Sequence, residues 1–184
     1  RAHRALPAEV VDLQPPHPEE RHSAPPRTTG VESAVIPLDG DCAVHTDDLD
    51  AELRGRTSVF DGVPDIAYLP LDSTVTITSE SGGRFAVATA VADQRRTAFV
   101  VRADDIAIEV RGAGQATRVI NGLLSADVPG PQRLIVVEVI TPAGNWSSYP
   151  PHKHDTEDPP TEAYLEELYY YRFRRPGGDR KSGS

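Results

Sequence analysis

Val31-Glu32-Ser33-Ala34-Val35-Ile36-Pro37-Leu38-Asp39-Gly40-Asp41-Cys42-Ala43-Val44-His45-Thr46 sets the pattern of this chain. Apolar and β-branched residues come in short runs, 33–37 and 42–46, separated by Leu38-Asp39-Gly40-Asp41. The Asp-Gly pair there reads as a hairpin turn. The same texture continues along the chain. Thr57-Ser58-Val59-Phe60 precedes an Asp61-Gly62 turn, Thr74-Val75-Thr76-Ile77-Thr78 alternates strictly, and runs follow at 85–92 and 97–101. No stretch keeps a helical period beyond two turns. The spacing predicts an all-β protein, an antiparallel sandwich or barrel.

Upstream, residues 1–30 are proline-rich and polar (Pro15-Pro16-His17-Pro18, Pro25-Pro26), without strand or helix periodicity, and read as a flexible arm. Across all 184 residues the formal net charge is -9 and hydrophobic content is 38%. That balance suits a soluble globular protein. It argues against nucleic acid or an anionic membrane as partner, because no basic field offsets phosphate charge. The N-terminus lacks the order of a signal peptide and no apolar run is long enough to span a bilayer, so the expected location is the cytoplasm. The chain does not begin with methionine, so its start is not expected to be the natural one. The one cysteine, Cys42, lies in an apolar run and is expected to be a buried small hydrophobe.

A second part is expected from Asp104 onward. Ile106-Ala107-Ile108-Glu109-Val110 alternates, Arg111-Gly112-Ala113-Gly114-Gln115 follows, and Leu134-Ile135-Val136-Val137-Glu138-Val139-Ile140 is the most apolar run. That last run reads as a central strand buried on both faces. The glycine-rich segment needs a helix after it to cradle phosphates; Thr117-Arg118-Val119-Ile120 is strand-like instead, so it reads as a plain turn.

Chemistry concentrates near the end. Two imidazoles, His152 and His154, sit two residues apart in an extended segment and therefore point the same way. An acidic loop leads on to Leu165-Glu166-Glu167-Leu168-Tyr169-Tyr170-Tyr171-Arg172-Phe173, read as an aromatic strand. Alternation puts Glu167, Tyr169, Tyr171 and Phe173 on one face and Glu166, Leu168, Tyr170 and Arg172 on the other. Two imidazoles and a carboxylate suit a divalent first-row metal, whether zinc, manganese, iron or nickel. The bland alternative is a pair of surface histidines on a loop that Asp155, Glu157 and Asp158 merely solvate. The His-x-His, loop and glutamate order matches the first metal motif of cupin barrels, in which the carboxylate directly precedes the apolar run; that pattern selects Glu167 over Glu166.

The stretch Thr141-Pro142-Ala143-Gly144-Asn145-Trp146-Ser147-Ser148-Tyr149-Pro150-Pro151-His152-Lys153-His154-Asp155, with the glutamate-tyrosine run after it, closely resembles the 5-deoxy-glucuronate isomerases of inositol catabolism. The resemblance extends to Gly55-Arg56-Thr57-Ser58-Val59-Phe60-Asp61-Gly62, Tyr68-Leu69-Pro70 and Glu109-Val110-Arg111-Gly112-Ala113-Gly114, covering about 31–173. It implies a cupin-type (jelly-roll) bicupin, with an arm at 1–30, an N-terminal cupin-like domain at 31–103, and the first strands of a second, C-terminally incomplete cupin at 104–184.

It further implies an aldose–ketose isomerase interconverting 5-deoxy-D-glucuronate and 2-deoxy-5-keto-D-gluconate, with a small sugar acid as substrate and homo-oligomers as a compatible assembly. His152, His154 and Glu167 would be metal ligands. The family's fourth ligand is a later histidine, and no histidine follows His154. Tyr169 and Tyr171 would donate hydrogen bonds to developing oxyanion charge or relay protons, and Glu166 is the candidate base. Lys153 or Arg174 would receive the substrate carboxylate. The competing readings are a non-catalytic cupin that binds sugar acids or serves as structure, and a metal-dependent dioxygenase.

Overall fold

The computed structural model describes residues 9–15, 29–149 and 153–174. Their regular structure is ten strands, β1 (Glu9–Leu13), β2 (Val31–His45), β3 (Asp50–Arg56), β4 (Ile66–Leu69), β5 (Thr76–Thr78), β6 (Gly83–Val91), β7 (Phe99–Val101), β8 (Ala107–Arg111), β9 (Arg118–Leu124) and β10 (Val136–Ile140), with short 3-10 turns at Ala103–Asp105 and Gly114–Ala116. The protein is all-β, as its alternating runs require.

The 31–46 stretch folds differently from its expected hairpin. β2 runs through Asp39-Gly40 without reversing, and its register slips at Pro37/Asp39 against β6 and at Gly40/Cys42 against β3. Gly40 takes φ +83°, so the Asp-Gly pair makes a bulge rather than a turn. A left-handed glycine serves either purpose; the partners decide. Before the bulge β2 pairs with β6 and β4, and after it with β3 and β5. The larger sheet therefore has the order β1-β6-β2-β4-β7, with β3 and β5 also on β2.

Other sequence readings shift as well. Residues 9–13, read as part of an aperiodic arm, form β1 on β6, with Val11 and Leu13 turned inward as period two demands. Thr57 to Phe60 lie in turns after β3 ends at Arg56. The apolar run ending at Ile140 supplies β10, an edge strand whose residues alternate between half-buried and exposed; β9 is the central strand of the order β10-β9-β8. The glycine-rich segment is a turn between β8 and β9.

The chain divides into two compact units, Arg1–Ala107 with Gly122–Val137, and Ile108–Asn121 with Glu138–Ser184. In the first, the main sheet is covered on both faces. Val35, Cys42, Val44, Leu53, Ile77 and Phe85 pack on one side, and Ala34, Ile36, Ile66, Tyr68, Leu123 and Leu124 on the other. Adjacent residues of β2 divide between the two clusters because successive side chains point oppositely.

Two buried carboxylates tie this unit together. Glu32 accepts the Tyr68 hydroxyl (2.7 Å) and the Gln132 N–H (2.8 Å) on Oε2, and the Arg133 and Leu134 N–H groups (2.6 Å each) on Oε1. Asp65 accepts the Arg54 and Ala103 N–H groups and an ion pair from Arg102 at 2.8 Å. In the second unit, Asn121 Nδ2 donates to Glu138 (3.0 Å), Asn145 Nδ2 to the Thr117 carbonyl (2.8 Å), and the Trp146 N–H to the Gln115 carbonyl (2.7 Å).

Candidate metal centre

The loop from Lys153 to Leu165 folds back on itself. Its inner rung is an antiparallel bridge between Asp158 and Glu162, whose N–H groups donate to each other's carbonyls at 2.9 and 3.0 Å. Farther out, the Leu165 N–H donates to the His154 carbonyl at 3.1 Å. The acidic residues hold the loop's own backbone rather than merely facing water. Glu162 accepts the N–H groups of Asp155 (3.1 Å) and Thr156 (2.9 Å), and Glu157 accepts that of Tyr164 (2.8 Å).

Lys153 lies between Asp155 (2.7 Å) and Glu162 (3.0 Å). Those two carboxylates raise the Lys153 ammonium pKa, and Lys153, then Glu162, draw Asp155 below the ordinary carboxylate range. The lysine expected to receive a substrate carboxylate thus has its charge engaged within the loop.

His154 Nδ1 lies 3.0 Å from the Ala163 carbonyl oxygen. A carbonyl only accepts, so Nδ1 carries the proton and Nε2 is the lone-pair nitrogen of the neutral ring. This is how a ligating histidine is commonly set, one nitrogen oriented by a backbone carbonyl and the other directed at the ion. A cleft of about 340 Å³ opens beside it, lined by His154, Lys153, Thr161, Glu162 and Ala163 among others.

Residues 165–173 do not form the expected strand. They join no strand ladder among the described residues, and Leu168, Tyr169, Tyr170, Tyr171 and Phe173 are exposed. A strand is defined by its ladder, and alternation alone supplies no partner. The alternation itself is present. The Tyr169 hydroxyl donates to Glu167 at 3.1 Å, and the Tyr169 and Tyr171 rings stack 5.8 Å apart at 9°. On the other side, Arg172 approaches the Tyr170 hydroxyl at 3.4 Å. Glu167, Tyr169 and Tyr171 therefore form one row. Glu166, the candidate base, is exposed beside them.

Of the ligands proposed from sequence, His152 lies outside the described residues. Among those described, no group of three or more His, Cys, Asp and Glu side chains is arranged to hold a metal. The donor chemistry of His154 and Glu167 nonetheless fits such an ion. Glu162 and its role in the loop were missed, because one acid among several carries no period or motif. A local clue was its place nine residues after Lys153, across a Pro-Pro turn.

A family model described as KduI/IolB matches residues 3–180. The chain belongs to the KduI/IolB family. Among its KduI/IolB relatives, the 5-deoxy-glucuronate isomerase of Bacillus velezensis is 37% identical over 149 residues, covering 80% of this chain and 55% of the relative. That of Lacticaseibacillus casei is 34% identical with the same coverage. The crystal structure of an IolB-like protein from Salmonella typhimurium superposes with a TM-score of 0.78 at 26% identity, covering 85% of this chain and 58% of that one. The fold is accordingly cupin-type. The chain spans about half the length of these KduI/IolB relatives. No helix among its described residues is long and apolar enough to cross a membrane.

Proposed function

We propose that this chain is part of a 5-deoxy-glucuronate isomerase, the name its relatives carry, and that the reaction is an aldose–ketose isomerisation between 5-deoxy-D-glucuronate and 2-deoxy-5-keto-D-gluconate. In this reading 31–103 is the first cupin domain and 104–184 begins the second, with His152, His154 and Glu167 as ligands for a divalent ion. The observation that carries it is the His154 ring, oriented by Ala163 with Nε2 as its lone-pair nitrogen, within a family member.

Isomerisation moves a proton between neighbouring carbons while negative charge develops on oxygen. A bound divalent ion supplies Lewis-acid polarisation of those oxygens. Tyr169, its hydroxyl directed at Glu167, and the stacked Tyr171 are placed to donate hydrogen bonds to that charge or to pass a proton. Glu166 is the candidate base, set by alternation on the other side of the segment from Glu167, Tyr169 and Tyr171.

The test is conversion of 5-deoxy-D-glucuronate followed by proton NMR, with metal content measured on the same protein after dialysis. Zinc or manganese retention that falls in His154→Ala and Glu167→Ala, together with metal-dependent conversion, is the expected result. A second reading, a non-catalytic sugar-acid-binding or structural cupin, draws on the lack of a three-ligand group among the described residues. It predicts no retained metal and no turnover, even with the longer protein of the relatives' length. Oxygen uptake with iron would point to a dioxygenase instead.

A further inference from the structure

We propose that Glu162 is the positioning residue of this loop, holding the main chain just after His154 and the Lys153 ammonium just before it, so that the His154 ring stays on the Ala163 carbonyl with Nε2 as the lone-pair nitrogen. The inference rests on the metal reading above for its purpose, but its geometry stands apart from it. One Glu162 carboxylate reaches Lys153, Asp155 and Thr156, the residues that bracket His154. The Glu162 main chain is itself bridged to Asp158, and the next residue, Ala163, supplies the carbonyl that receives the His154 Nδ1 proton.

Removing this carboxylate frees two N–H groups and half of the Lys153 ion pairing, leaving the Leu165–His154 and Asp158–Glu162 backbone bonds to hold the loop without the clamp on the segment that follows His154. Glu162 is also the best shielded of the three charged groups. Its side chain is 16% exposed, against 62% for Lys153 and 71% for Asp155, so its bonds are the least weakened by solvent. The tautomer of a histidine follows the hydrogen bond made by its other nitrogen, and loss of such an orienting contact typically weakens metal binding by about 10–100-fold.

Nitrogen-15 NMR of the metal-free chain at about pH 8.5, where an imidazole is ordinarily neutral, reports the tautomer directly, and titration with Zn²⁺ alone reports affinity. In the parent, the His154 spectrum should show the proton on Nδ1. Glu162→Ala should move it toward the solvent mixture and weaken Zn²⁺ binding about 10–100-fold, with the melting transition unchanged. Glu162→Gln, which keeps an oxygen for the Asp155 and Thr156 N–H groups, should restore the parental spectrum. An alanine variant with the parental His154 spectrum would overturn the assignment. Should that variant not fold, Glu162→Asp decides by the same spectrum, since its carboxylate is withdrawn by one methylene: an altered signal supports the assignment and a parental one overturns it. A parent chain that takes up no Zn²⁺ refutes the metal reading alone, because the tautomer still reports on Glu162.

Discussion

Replacing Glu32 by glutamine changes one atom and leaves the side-chain volume almost intact, so its cost isolates hydrogen bonding. The ionised carboxylate only accepts, and it meets four donors: the Tyr68 hydroxyl and the N–H groups of Gln132, Arg133 and Leu134. An amide offers one accepting oxygen and one donating nitrogen. Placed on the Oε1 side, its nitrogen would confront two backbone N–H groups, neither of which can turn. On the Oε2 side it confronts the Gln132 N–H and a hydroxyl, which can rotate to accept. The second arrangement wins: the Gln132 N–H is left unsatisfied, and the Tyr68 hydroxyl, turning to accept, directs its own proton away from the amide.

Such a donor costs about 1–3 kcal/mol when buried. The remaining bonds lose their charge assistance, but burial of a charge is no longer needed, and these two changes largely offset. The net loss for Glu32→Gln is therefore about 1–3 kcal/mol, whereas Glu32→Ala orphans all four donors and costs about 4 kcal/mol or more. Urea denaturation followed by circular dichroism measures the ranking. Amide exchange locates it: in Glu32→Gln the Gln132 amide should exchange faster while Arg133 and Leu134 stay protected. Stability within about 0.5 kcal/mol of the parent, with Gln132 protection unchanged, would refute the reasoning.

The second buried carboxylate predicts a pH dependence. Burial alone pushes the Asp65 carboxyl up, but the Ala103 N–H, the Arg102 guanidinium and the Arg54 N–H together outweigh it and hold it below the usual 3.8. A folded-state value below the unfolded one stabilises fully above the unfolded value and is lost as pH falls through the folded one. The urea midpoint of the parent should therefore drop on acidification below about pH 4, and more steeply than that of Asp65→Asn; equal slopes would count against it. For Cys42, burial first, then the charges of Asp41 and Glu52, push the thiol up to about 12. A disulfide reagent at about pH 8 should leave the native protein unlabelled and modify it once urea is added, while labelling of the folded protein at a free-thiol rate would contradict the buried position.

Much of this fold is legible in its sequence because period two is a local signal. Thr76–Thr78 forms a strand within the alternating run 74–78, Phe99–Val101 lies within the run expected at 97–101, and Gly83–Val91 overlaps most of that at 85–92. What failed depended on partners. The Asp39-Gly40 bulge and the 165–173 segment carry the right local signals, yet a hairpin differs from a bulge, and a strand from a stretch that joins no ladder among the described residues, only by what lies alongside. β1 was missed for the opposite reason: Val11 and Leu13 are too few to stand out among prolines and charges.

The candidate site divides in the same way. The alternation of Glu167, Tyr169 and Tyr171 followed from spacing, and the structure's ring stacking and hydrogen bond agree with it. The Glu162 contacts could not be anticipated, since they depend on how a loop returns.

The long strand β2 has a further consequence for how the chain is made. As residues leave the ribosome in order, β3 is the first partner to follow β2, and the post-bulge half can pair at once with its neighbour in sequence. The half before the bulge waits for β4, and its ladder with β6 closes only when residue 91 has emerged. Until then Val31 to Ile36 lacks first both flanking strands and then the β6 side, and an uncovered apolar strand invites pairing with another nascent chain. Slower synthesis lengthens the wait, so the yield of native protein should depend on how quickly translation carries the chain through β6.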